Sequence, residues 1–565
     1  MATLASDVLR QSGAPVGRPG LSLTYQRLML VMLVFAGVTF MIVARLLFLQ
    51  VFTDRGGSAQ LANPLIPPRA DIVDRNGVPL ARTIDAWSIG VHPNKLLGDP
   101  AELAEKLAAL MPERSAVQYE AILRSGKNYQ YLSRRAVPEL VSAVNALGEP
   151  AIAFAREPER LYPQTALAGH ILGWTDFDGR GVSGMEKVME DRLTQPSMRG
   201  TPAALSIDSR VQAAMESELG AAMVKHSAAA GTGIVLDVKT GEIIALASFP
   251  TFNPNAAGKS APDAQYNRAT MGVYELGSTF KPLTVAAALE EGTITSLSRR
   301  YDASAPLAIG RFRISDYKGK NRPLNVAEII AYSSNIGTAR IGDELGAERL
   351  TASFRKLGFH EAPHIELHEK SQPLWPSQWS RATVLTGSFG HGVAITPLHL
   401  ASAYAALVNG GVWRPATLLK LAPGKAPSGR RVYSEETSST MRKLLRVNVL
   451  HGGGKRGEAP GYRVGGKTGT AEKTSAGGGY SKKVNVSTFA AAFPMDDPRY
   501  VVVAMLDAPK ATADTFGYTT AGWVSAPVVS KVISRTGPLL GVLPDDRRDL
   551  DLSDMLALVG VQQGR

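Results

Sequence analysis

Serine and lysine occur three residues apart at three places in this 565-residue sequence. On a helix this spacing puts a hydroxyl and an amine one turn apart, so that a neutral lysine can take the proton as the serine attacks a carbonyl. The pairs are Ser278/Lys281, Ser315/Lys318 and Ser353/Lys356. Because the spacing occurs three times, it is a weak signal by itself, and the surrounding residues must decide between the pairs.

The context of Ser278 favours it as the nucleophile. Gly277 precedes it, and an apolar helical pattern follows Lys281. The apolar positions are Leu283, Val285, Ala286 and Leu289. This context predicts a hydroxyl at the buried N-terminus of a helix, where backbone N–H groups favour developing negative charge.

The other two pairs lie in different contexts. Ser315 belongs to the polar, turn-rich run 313–322, and Ser353 lies on an amphipathic helix that leads to Leu357. We expect both serines to lie on the solvated surface.

Lys-Thr-Gly occurs twice, and the two copies predict different roles. Residues 239–241 lie between two alternating apolar runs, which predicts a hairpin turn. Lys467-Thr468-Gly469-Thr470 instead ends a strand after two glycines, which allow a ligand to approach the backbone closely. The edge of such a strand can pair with an extended peptide while the lysine and the hydroxyls hold a terminal carboxylate.

Ser333-Ser334-Asn335 is the only Ser-x-Asn in the sequence. It falls inside a helical pattern, and alone it is equally well read as a polar turn between helices. Metal chemistry has little support, because there is no cysteine and the nine histidines show no paired-ligand spacing. We therefore expect no metal and no other cofactor.

The elements around these motifs alternate between helices and strands. Helices are predicted at 100–110, from about 209, and at 279–291, 326–345, 398–408 and 525–534. Strands are predicted at 233–237, 242–248, 461–470, 486–493 and 500–506. Strands at both ends of a region with helices between them predict an α/β (α+β) fold, in which distant segments close one mixed sheet flanked by helices.

An uncharged stretch near the N-terminus predicts a membrane anchor. Residues 28–44 carry no charge, and the apolar character continues after Arg45 to Phe52. This length can cross a hydrocarbon core of about 30 Å. It exceeds a signal-peptide core, and no small-residue cleavage pattern follows it, so we predict an uncleaved anchor rather than a signal peptide or a buried helix.

The charge pattern bears on topology and partners. Arg10, Arg18 and Arg27 precede the apolar stretch, which favours a cytoplasmic N-terminus and an exported remainder. The net charge of +12 suits an anionic neighbour, but the basic residues are scattered without interleaved aromatic residues. We therefore do not expect nucleic-acid binding.

In this order, Ser278-Thr279-Phe280-Lys281, Ser333-Ser334-Asn335 and Lys467-Thr468-Gly469 resemble the three motifs of penicillin-binding transpeptidases and serine β-lactamases. Three upstream runs resemble the N-terminal pedestal motifs of class B penicillin-binding proteins. These runs are Arg69–Gly77, Arg160–Glu186 and Leu205–Asp208. The resemblance covers residues 25 to about 545 and indicates the division-specific branch of that class. One departure is Gln164-Thr165 after Tyr162-Pro163, where the family usually has a glycine.

The resemblance implies a domain order and a location. The segments are a cytoplasmic tail (1–26), a transmembrane anchor (27–52), a periplasmic pedestal, or dimerisation-like, domain (53–208), a transpeptidase domain with the penicillin-binding/β-lactamase-like fold (209–545) and a C-terminal tail (546–565). The protein would be a single-pass protein of the bacterial inner membrane, acting at the division septum.

The resemblance also implies a mechanism. Ser278 would attack the penultimate carbonyl of a stem peptide that ends in D-Ala-D-Ala, with Lys281 as the base. Ser333 would relay the proton to the leaving amine, and Asn335 would orient Lys281 and the substrate amide. Lys467 would lower the pKa of Lys281 and, with Thr468, Gly469 and Thr470, would hold the substrate carboxylate. An amine from a neighbouring stem peptide would resolve the acyl-enzyme, and a β-lactam would acylate the same serine.

Several rival functions remain at this stage. An elongation-specific transpeptidase is the nearest, whereas a β-lactamase needs neither the anchor nor the pedestal. A bifunctional synthase would need a glycosyltransferase domain, for which the region before residue 208 is too short. A β-lactam-sensing receptor usually has several membrane spans, and a non-catalytic division scaffold would be free to lose a motif, although none is lost here. The expected partners include a membrane-embedded glycosyltransferase and other division proteins.

Overall fold

The structure, a computed structural model, describes residues 19–51, 68–310, 312–474 and 480–560. The chain divides into two compact units, residues 1–66 and 67–565.

The first unit contains one long helix, α1 (Pro19–Val51). Its stretch Arg27–Arg45 comprises 19 residues with a mean hydropathy of 2.3 and no buried position. A helix rises 1.5 Å per residue, so this stretch is long and apolar enough to cross a membrane. The anchor predicted over 27–52 coincides with this helix, except that Phe52 lies outside the described residues, as do residues 1–18 of the predicted tail.

The second unit begins with a region built on a five-stranded sheet, residues 68–208. Its strands are β1 (Ile72–Val73), β2 (Pro79–Val91), β3 (Gln130–Ala136), β4 (Ile152–Leu161) and β5 (Ala203–Ala204). Its helices are α2 (Pro100–Leu110), α3 (Ala116–Leu123), α4 (Pro138–Asn145), α5 (Gly169–Leu172), α6 (Gly184–Val188) and α7 (Glu190–Thr194). The long strand β2 pairs antiparallel with β1, β3 and β4, and β5 joins β1 in parallel.

Two hydrophobic clusters divide this region. An outer lobe (residues 87–154) has its own core, which includes Ile89, Leu107 and Tyr119. In contrast, Ile72 and Leu80 belong to the large cluster that continues into the rest of the chain. The part of this region nearest the following domain therefore shares its core with that domain.

The turn at Gln164-Thr165, where the sequence departs from the family pattern, contains a residue with a left-handed backbone. Thr165 has φ of 55°, and its N–H donates to the carbonyl of Tyr162 at 3.0 Å. Threonine is β-branched and disfavours this conformation, which glycine adopts freely. The chain thus makes the turn with a strained, exposed residue.

Residues 209–560 contain the remaining elements. The helices are α8 (Ser209–Lys225), α9 (Pro262–Gln265), α10 (Lys281–Glu290), α11 (Val326–Tyr332), α12 (Asn335–Lys356), α13 (Arg381–Gly387), α14 (Pro397–Val408), α15 (Glu435–His451), α16 (Ala526–Thr536) and α17 (Ser553–Leu558). The strands are β6 (Ala230–Asp237), β7 (Ile243–Phe249), β8 (Arg300–Tyr301), β9 (Leu307–Ile309), β10 (Phe312–Ile314), β11 (Leu324–Asn325), β12 (Val412–Trp413), β13 (Arg430–Arg431), β14 (Gly465–Thr474), β15 (Tyr480–Phe493) and β16 (Tyr500–Asp507).

The central sheet has the strand order β14-β15-β16-β6-β7, and neighbouring strands are antiparallel. β6 pairs with β16 from Ala230 opposite Asp507 to Asp237 opposite Tyr500. Strands from the two ends of the domain therefore close one sheet flanked by helices, and the predicted α/β (α+β) architecture is confirmed. Parallel pairing between the strands named above is confined to β1 and β5.

Helices cover both faces of this sheet. β16 is buried along its whole length, with Val501 and Val503 in one cluster and Val502 and Ala504 in the other. This alternation follows from the two-residue period of a strand. Helices α10, α14 and α15 pack on the first face, and α8 and α16 on the second.

The C-terminal segment is part of the fold. The resemblance implies a C-terminal tail over residues 546–565, yet Met555 and Val559 are buried in the large cluster. The buried guanidinium of Arg446 on α15 donates to Asp549 at 2.6 Å. A six-residue helix has too few apolar positions for a periodic signal, which explains why the pattern did not predict this docking.

Candidate active site

The turn that carries Ser278 continues directly into a buried helix. Ser278 lies in a 3₁₀ helix, Gly277–Phe280, and α10 begins at Lys281. Ser278 is half-buried, whereas Phe280 and Lys281 have no exposed surface. The hydroxyl therefore stands at the N-terminus of a buried helix, as the apolar pattern after Lys281 predicts.

Glycines allow three segments to meet at this turn. A Cβ atom on Gly469 of β14 would lie 2.3 Å from the carbonyl oxygen of Leu276. A Cβ atom on Gly390 would lie 2.2 Å from the carbonyl oxygen of Gly277, whose N–H donates to Gly390 at 3.2 Å. Backbone contact this close excludes any side chain, so these glycines fix Ser278 against β14.

Two buried lysines converge on Ser333. Lys281 Nζ donates to the Ser333 carbonyl oxygen at 2.5 Å and to Ser333 Oγ at 3.1 Å. Lys467 Nζ donates to the same Oγ at 2.9 Å. The structure thus brings residues from three distant segments into one hydrogen-bonded group, with the Ser333 hydroxyl between the two amines.

Burial controls the charge of these lysines. Neither side chain has exposed surface. Burial and the nearby Lys467 hold the pKa of Lys281 well below its usual range, although the carboxylate of Asp316 opposes this shift. Burial lowers the pKa of Lys467 to about 7. The lowered pKa of Lys281 favours its neutral amine, which is the form that a general base requires.

Ser333 lies in a break between two helices. The sequence pattern predicts one helix over 326–345, but α11 ends at Tyr332 and α12 begins at Asn335. Ser333 has φ of 59°, and Ser334 caps α12 by accepting from the N–H of Gly337 at 2.9 Å. The left-handed residue turns the chain, so Ser333 lies in a polar turn between two helices, and this turn places its hydroxyl between the two lysines.

Asn335 lies beside this group, but its side chain has another partner. Asn335 Nδ2 donates to the carbonyl oxygen of Ser315 at 2.9 Å. Its backbone N–H donates to Asp316 at 2.5 Å. The resemblance implies a contact between Asn335 and Lys281. Among the described residues, Lys281 Nζ instead donates its hydrogen bonds to Ser333.

Strand β14 presents the remaining predicted residues at the edge of the sheet. Thr468 and Thr470 are half-buried and two residues apart, so they share one face of the strand. Lys467 Nζ lies 3.5 Å from Thr468 Oγ1, and Thr470 Oγ1 accepts from the N–H of Ala521 at 3.1 Å. Since β14 ends the strand order, its free edge can pair with an extended peptide.

The first Lys-Thr-Gly is a hairpin turn, as predicted. The turn joins β6 to β7, and Asp237 Oδ1 accepts from the N–H groups of Lys239 and Thr240 at 2.8 and 3.0 Å. Gly241 has φ of 79°. The exposed Lys239 pairs with Asp497 at 3.4 Å.

The other two serine–lysine pairs differ from each other. Ser315 and Lys318 are exposed, as predicted. The prediction that Ser353 lies on the solvated surface is wrong, because this serine is 7% exposed and shares the inner face of α12 with Leu350. Its partner Lys356 is exposed, so the two side chains form no buried pair.

Sequence reasoning missed several residues that position the site. Asn448 on α15 is fully buried and donates to the carbonyl oxygen of Gly466 at 2.6 Å, which holds the start of β14. Tyr404 on α14 donates to the carbonyl oxygen of Thr279 at 2.9 Å, in the turn that carries Ser278. Asn448 could have been identified as a polar residue at a core position of an amphipathic helix. Nothing in the polar run 313–322 distinguishes Asp316, which accepts from the N–H of Asn335.

Comparisons with known proteins agree with this geometry. The family model for the penicillin-binding protein transpeptidase domain matches residues 231–534, and that for the penicillin-binding protein dimerisation domain matches residues 64–197. The chain therefore belongs to the penicillin-binding transpeptidases.

Relatives narrow this assignment to class B and its FtsI type. The chain is 41% identical to the probable peptidoglycan D,D-transpeptidase FtsI of Caulobacter vibrioides, over 87% of this chain and 85% of that protein. It is 29% identical to the peptidoglycan D,D-transpeptidase FtsI of Escherichia coli K12, over 84% of each. The crystal structure of penicillin-binding protein 3 from Mycobacterium tuberculosis with aztreonam matches with a TM-score of 0.67 and 26% identity, over 85% of this chain and 97% of that one.

Proposed function

We propose that this chain is a peptidoglycan D,D-transpeptidase that cross-links stem peptides during septal wall synthesis. The observation that carries the proposal is the placement of Ser333 Oγ between the amines of Lys281 and Lys467, beside the free edge of β14 and the turn that carries Ser278. Relatives named as peptidoglycan D,D-transpeptidases support the reaction, and the FtsI name of several of them supports the division-specific role over an elongation-specific one.

Acylation uses the two lysines and the serine between them. Ser278 Oγ attacks the penultimate carbonyl of a stem peptide that ends in D-Ala-D-Ala, and neutral Lys281 takes the hydroxyl proton. The new C–O bond replaces the C–N bond of the terminal residue. Ser333 relays a proton to the departing amine, so that free D-Ala leaves and an ester remains on Ser278.

Strand β14 binds the substrate in this scheme. Lys467, in its protonated form, and the hydroxyls of Thr468 and Thr470 hold the terminal carboxylate, while Gly469 leaves room for close approach of the peptide. The backbone N–H groups of Ser278 and Thr470 stabilise the oxyanion, a contribution of roughly 3 to 4 kcal/mol for each donor.

The second half-reaction forms the cross-link. The amine of a neighbouring stem peptide attacks the ester carbonyl, and Ser278 recovers its proton as the new amide forms. A β-lactam acylates the same serine by opening its ring. Asn335 orients the substrate amide next to the turn at Ser333.

We further propose a topology for the whole chain. Helix α1 anchors the protein in the inner membrane, with residues 1–26 in the cytoplasm and the transpeptidase domain, 209–545, in the periplasm at the septum. The pedestal, 53–208, binds other division proteins, among them a membrane-embedded glycosyltransferase that supplies glycan strands. A shared membrane plane raises the effective concentration of both partners without a strong contact.

Covalent labelling tests the catalytic proposal. The full-length protein in detergent should be labelled by a fluorescent penicillin and should release D-Ala from a D-Ala-D-Ala peptide when an acceptor amine is present. Ser278→Ala should lose both activities. Ser315→Ala, at an exposed serine with the same lysine spacing, should keep both. Labelling that survives in Ser278→Ala would reject the proposal.

A further inference from the structure

The exposed Ser315/Lys318 segment contains a carboxylate that faces the active site. Asp316 Oδ1 accepts from the backbone N–H groups of Asn335 and Ile336 at 2.5 and 3.0 Å. Asp316 Oδ2 accepts from Ser334 Oγ at 2.7 Å. One carboxylate thus takes three hydrogen bonds at the N-terminus of the 22-residue helix α12.

These hydrogen bonds fix the turn that carries Ser333. Ser333 has a left-handed backbone and is followed directly by two residues that Asp316 holds. The preceding residue of the same segment, Ser315, accepts from the Asn335 side chain. The segment therefore holds Asn335 by both its backbone and its side chain. Backbone hydrogen bonds from the N–H groups of Ser333 and Ser334 to α11 also hold this left-handed turn, and Asp316 acts together with them against its relaxation.

Asp316 also supplies negative charge near Lys281. Two groups act on Lys281 through their charge: Lys467, which disfavours its protonated form, and Asp316, which favours it. His391 also lies within reach of Lys281 and Glu472, and burial lowers the pKa of this histidine, so that it adds no positive charge at neutral pH. Asp316 is therefore the carboxylate whose negative charge acts on Lys281.

We propose that Asp316 is a positioning residue of the transpeptidation reaction, which holds the turn that carries Ser333, the hydrogen-bond partner of Lys281, and supplies negative charge near that lysine. This inference rests on the proposed function of the same site. It gives a role to a residue of the polar run 313–322, for which the sequence predicts only that Ser315 is exposed.

The two parts of this role have different pH signatures. Asp316 raises the pKa of Lys281, so Asp316→Asn should lower that pKa further. Because neutral Lys281 is the base, acylation by the variant should persist to lower pH than in the wild type. Ser334→Ala removes one hydrogen bond to Asp316 but keeps its charge, so it should slow acylation without moving the profile.

Acylation rates of the full-length protein by a fluorescent penicillin, measured from about pH 5 to pH 9, test the proposal. At pH 7.5 we expect Asp316→Asn to be slower by about tenfold or more, the effect of losing hydrogen bonds to a charged group. Its acid limb should move to lower pH. The exposed pair of Asp302 with Arg340 offers a matched control, and Asp302→Asn should behave as wild type.

Two results would overturn the proposal. One is an Asp316→Asn variant that acylates within twofold of wild type with an unchanged profile. The other is a slower variant whose profile keeps its shape while its melting temperature falls, because a purely structural anchor behaves in that way. Failure of the proposed function itself looks different, since labelling would then survive in Ser278→Ala whatever Asp316 does.

Discussion

The two Lys-Thr-Gly copies offer a direct comparison between single residues. Lys467 is fully buried and contacts Ser333, whereas Lys239 is exposed at a hairpin turn. We predict that Lys467→Ala slows penicillin acylation about 10- to 100-fold, because a hydrogen bond to a charged group is lost. Lys239→Ala should remain within twofold of wild type. Equal effects in an acylation-rate assay would mean that the wrong copy is assigned to the site.

Two substitutions at Ser333 can distinguish the role of its hydroxyl from the effect of its left-handed backbone. Ser333→Ala and Ser333→Gly both remove Oγ, so both should abolish D-Ala release if the hydroxyl relays the proton. Alanine is strained at φ of 59° and glycine is not. Thermal unfolding should therefore show the glycine variant to be more stable than the alanine variant by about 1 kcal/mol. A glycine variant that retains activity would remove the relay role.

Lys281 and Lys467 also make folding stability depend on pH. The pKa of each lysine is lower in the folded chain than its usual value, so the unfolded chain binds more protons between about pH 7, where Lys467 titrates in the folded state, and the unfolded value. The free energy of unfolding should then rise as pH increases through this window. In Lys467→Met the rise should be smaller, which denaturant titrations at pH 7 and pH 9.5 can measure.

At the scale of elements, the close contact between β14 and the turn that carries Ser278 leaves the least room for a substitution. We predict that Gly469→Ala slows acylation at least about 100-fold, because a displacement of about 1 Å at a reacting group has that effect. Gly258 provides the control, since a Cβ atom there meets nothing within 4 Å. Gly258→Ala should acylate at the wild-type rate. A wild-type rate in Gly469→Ala would contradict the prediction and would mean that β14 is free to move away from the turn.

The turn at Thr165 predicts a stabilising change. Thr165 is exposed and left-handed, so Thr165→Gly should relieve strain while it removes few contacts. After the greater freedom of glycine in the unfolded chain is subtracted, we expect a gain of about 0.5 to 1 kcal/mol in the free energy of unfolding. A loss in the same measurement would show that the threonine side chain stabilises the turn.

Sequence patterns predicted elements better than their ends and junctions. The helix at 100–110 and the hairpin around Gly241 lie where periodicity and turn chemistry place them. The break at Ser333 was not predicted, because apolar periodicity continues through both α11 and α12 and does not indicate a single left-handed residue. The prediction for Ser353 was wrong and the contacts of Asp316 were not predicted for a related reason, since tertiary contacts with distant segments decide the surroundings of both residues.

At the scale of the whole molecule, the outer lobe has a core of its own and lies apart from the residues that contact Ser278. Leu97 and Val117 are apolar residues on this lobe that are 79% and 75% exposed. We predict that Leu97→Asp and Val117→Asp leave penicillin acylation unchanged but impair septal wall synthesis in cells. If these variants lost acylation without unfolding, the division of roles between pedestal and transpeptidase domain would be wrong.

The pairing of β6 with β16 also orders events during biosynthesis. Ser278 emerges from the ribosome long before Lys467, and the sheet that supports Lys467 closes only when Tyr500–Asp507 reaches Ala230–Asp237. Such long-range pairing is slow, because the entropy cost of closing a large loop comes before the stabilising contacts form. A nascent chain therefore carries Ser278 without the sheet that supports Lys467 until Tyr500–Asp507 has been synthesised. The order of synthesis thereby delays assembly of the acylating site until most of the chain has left the ribosome.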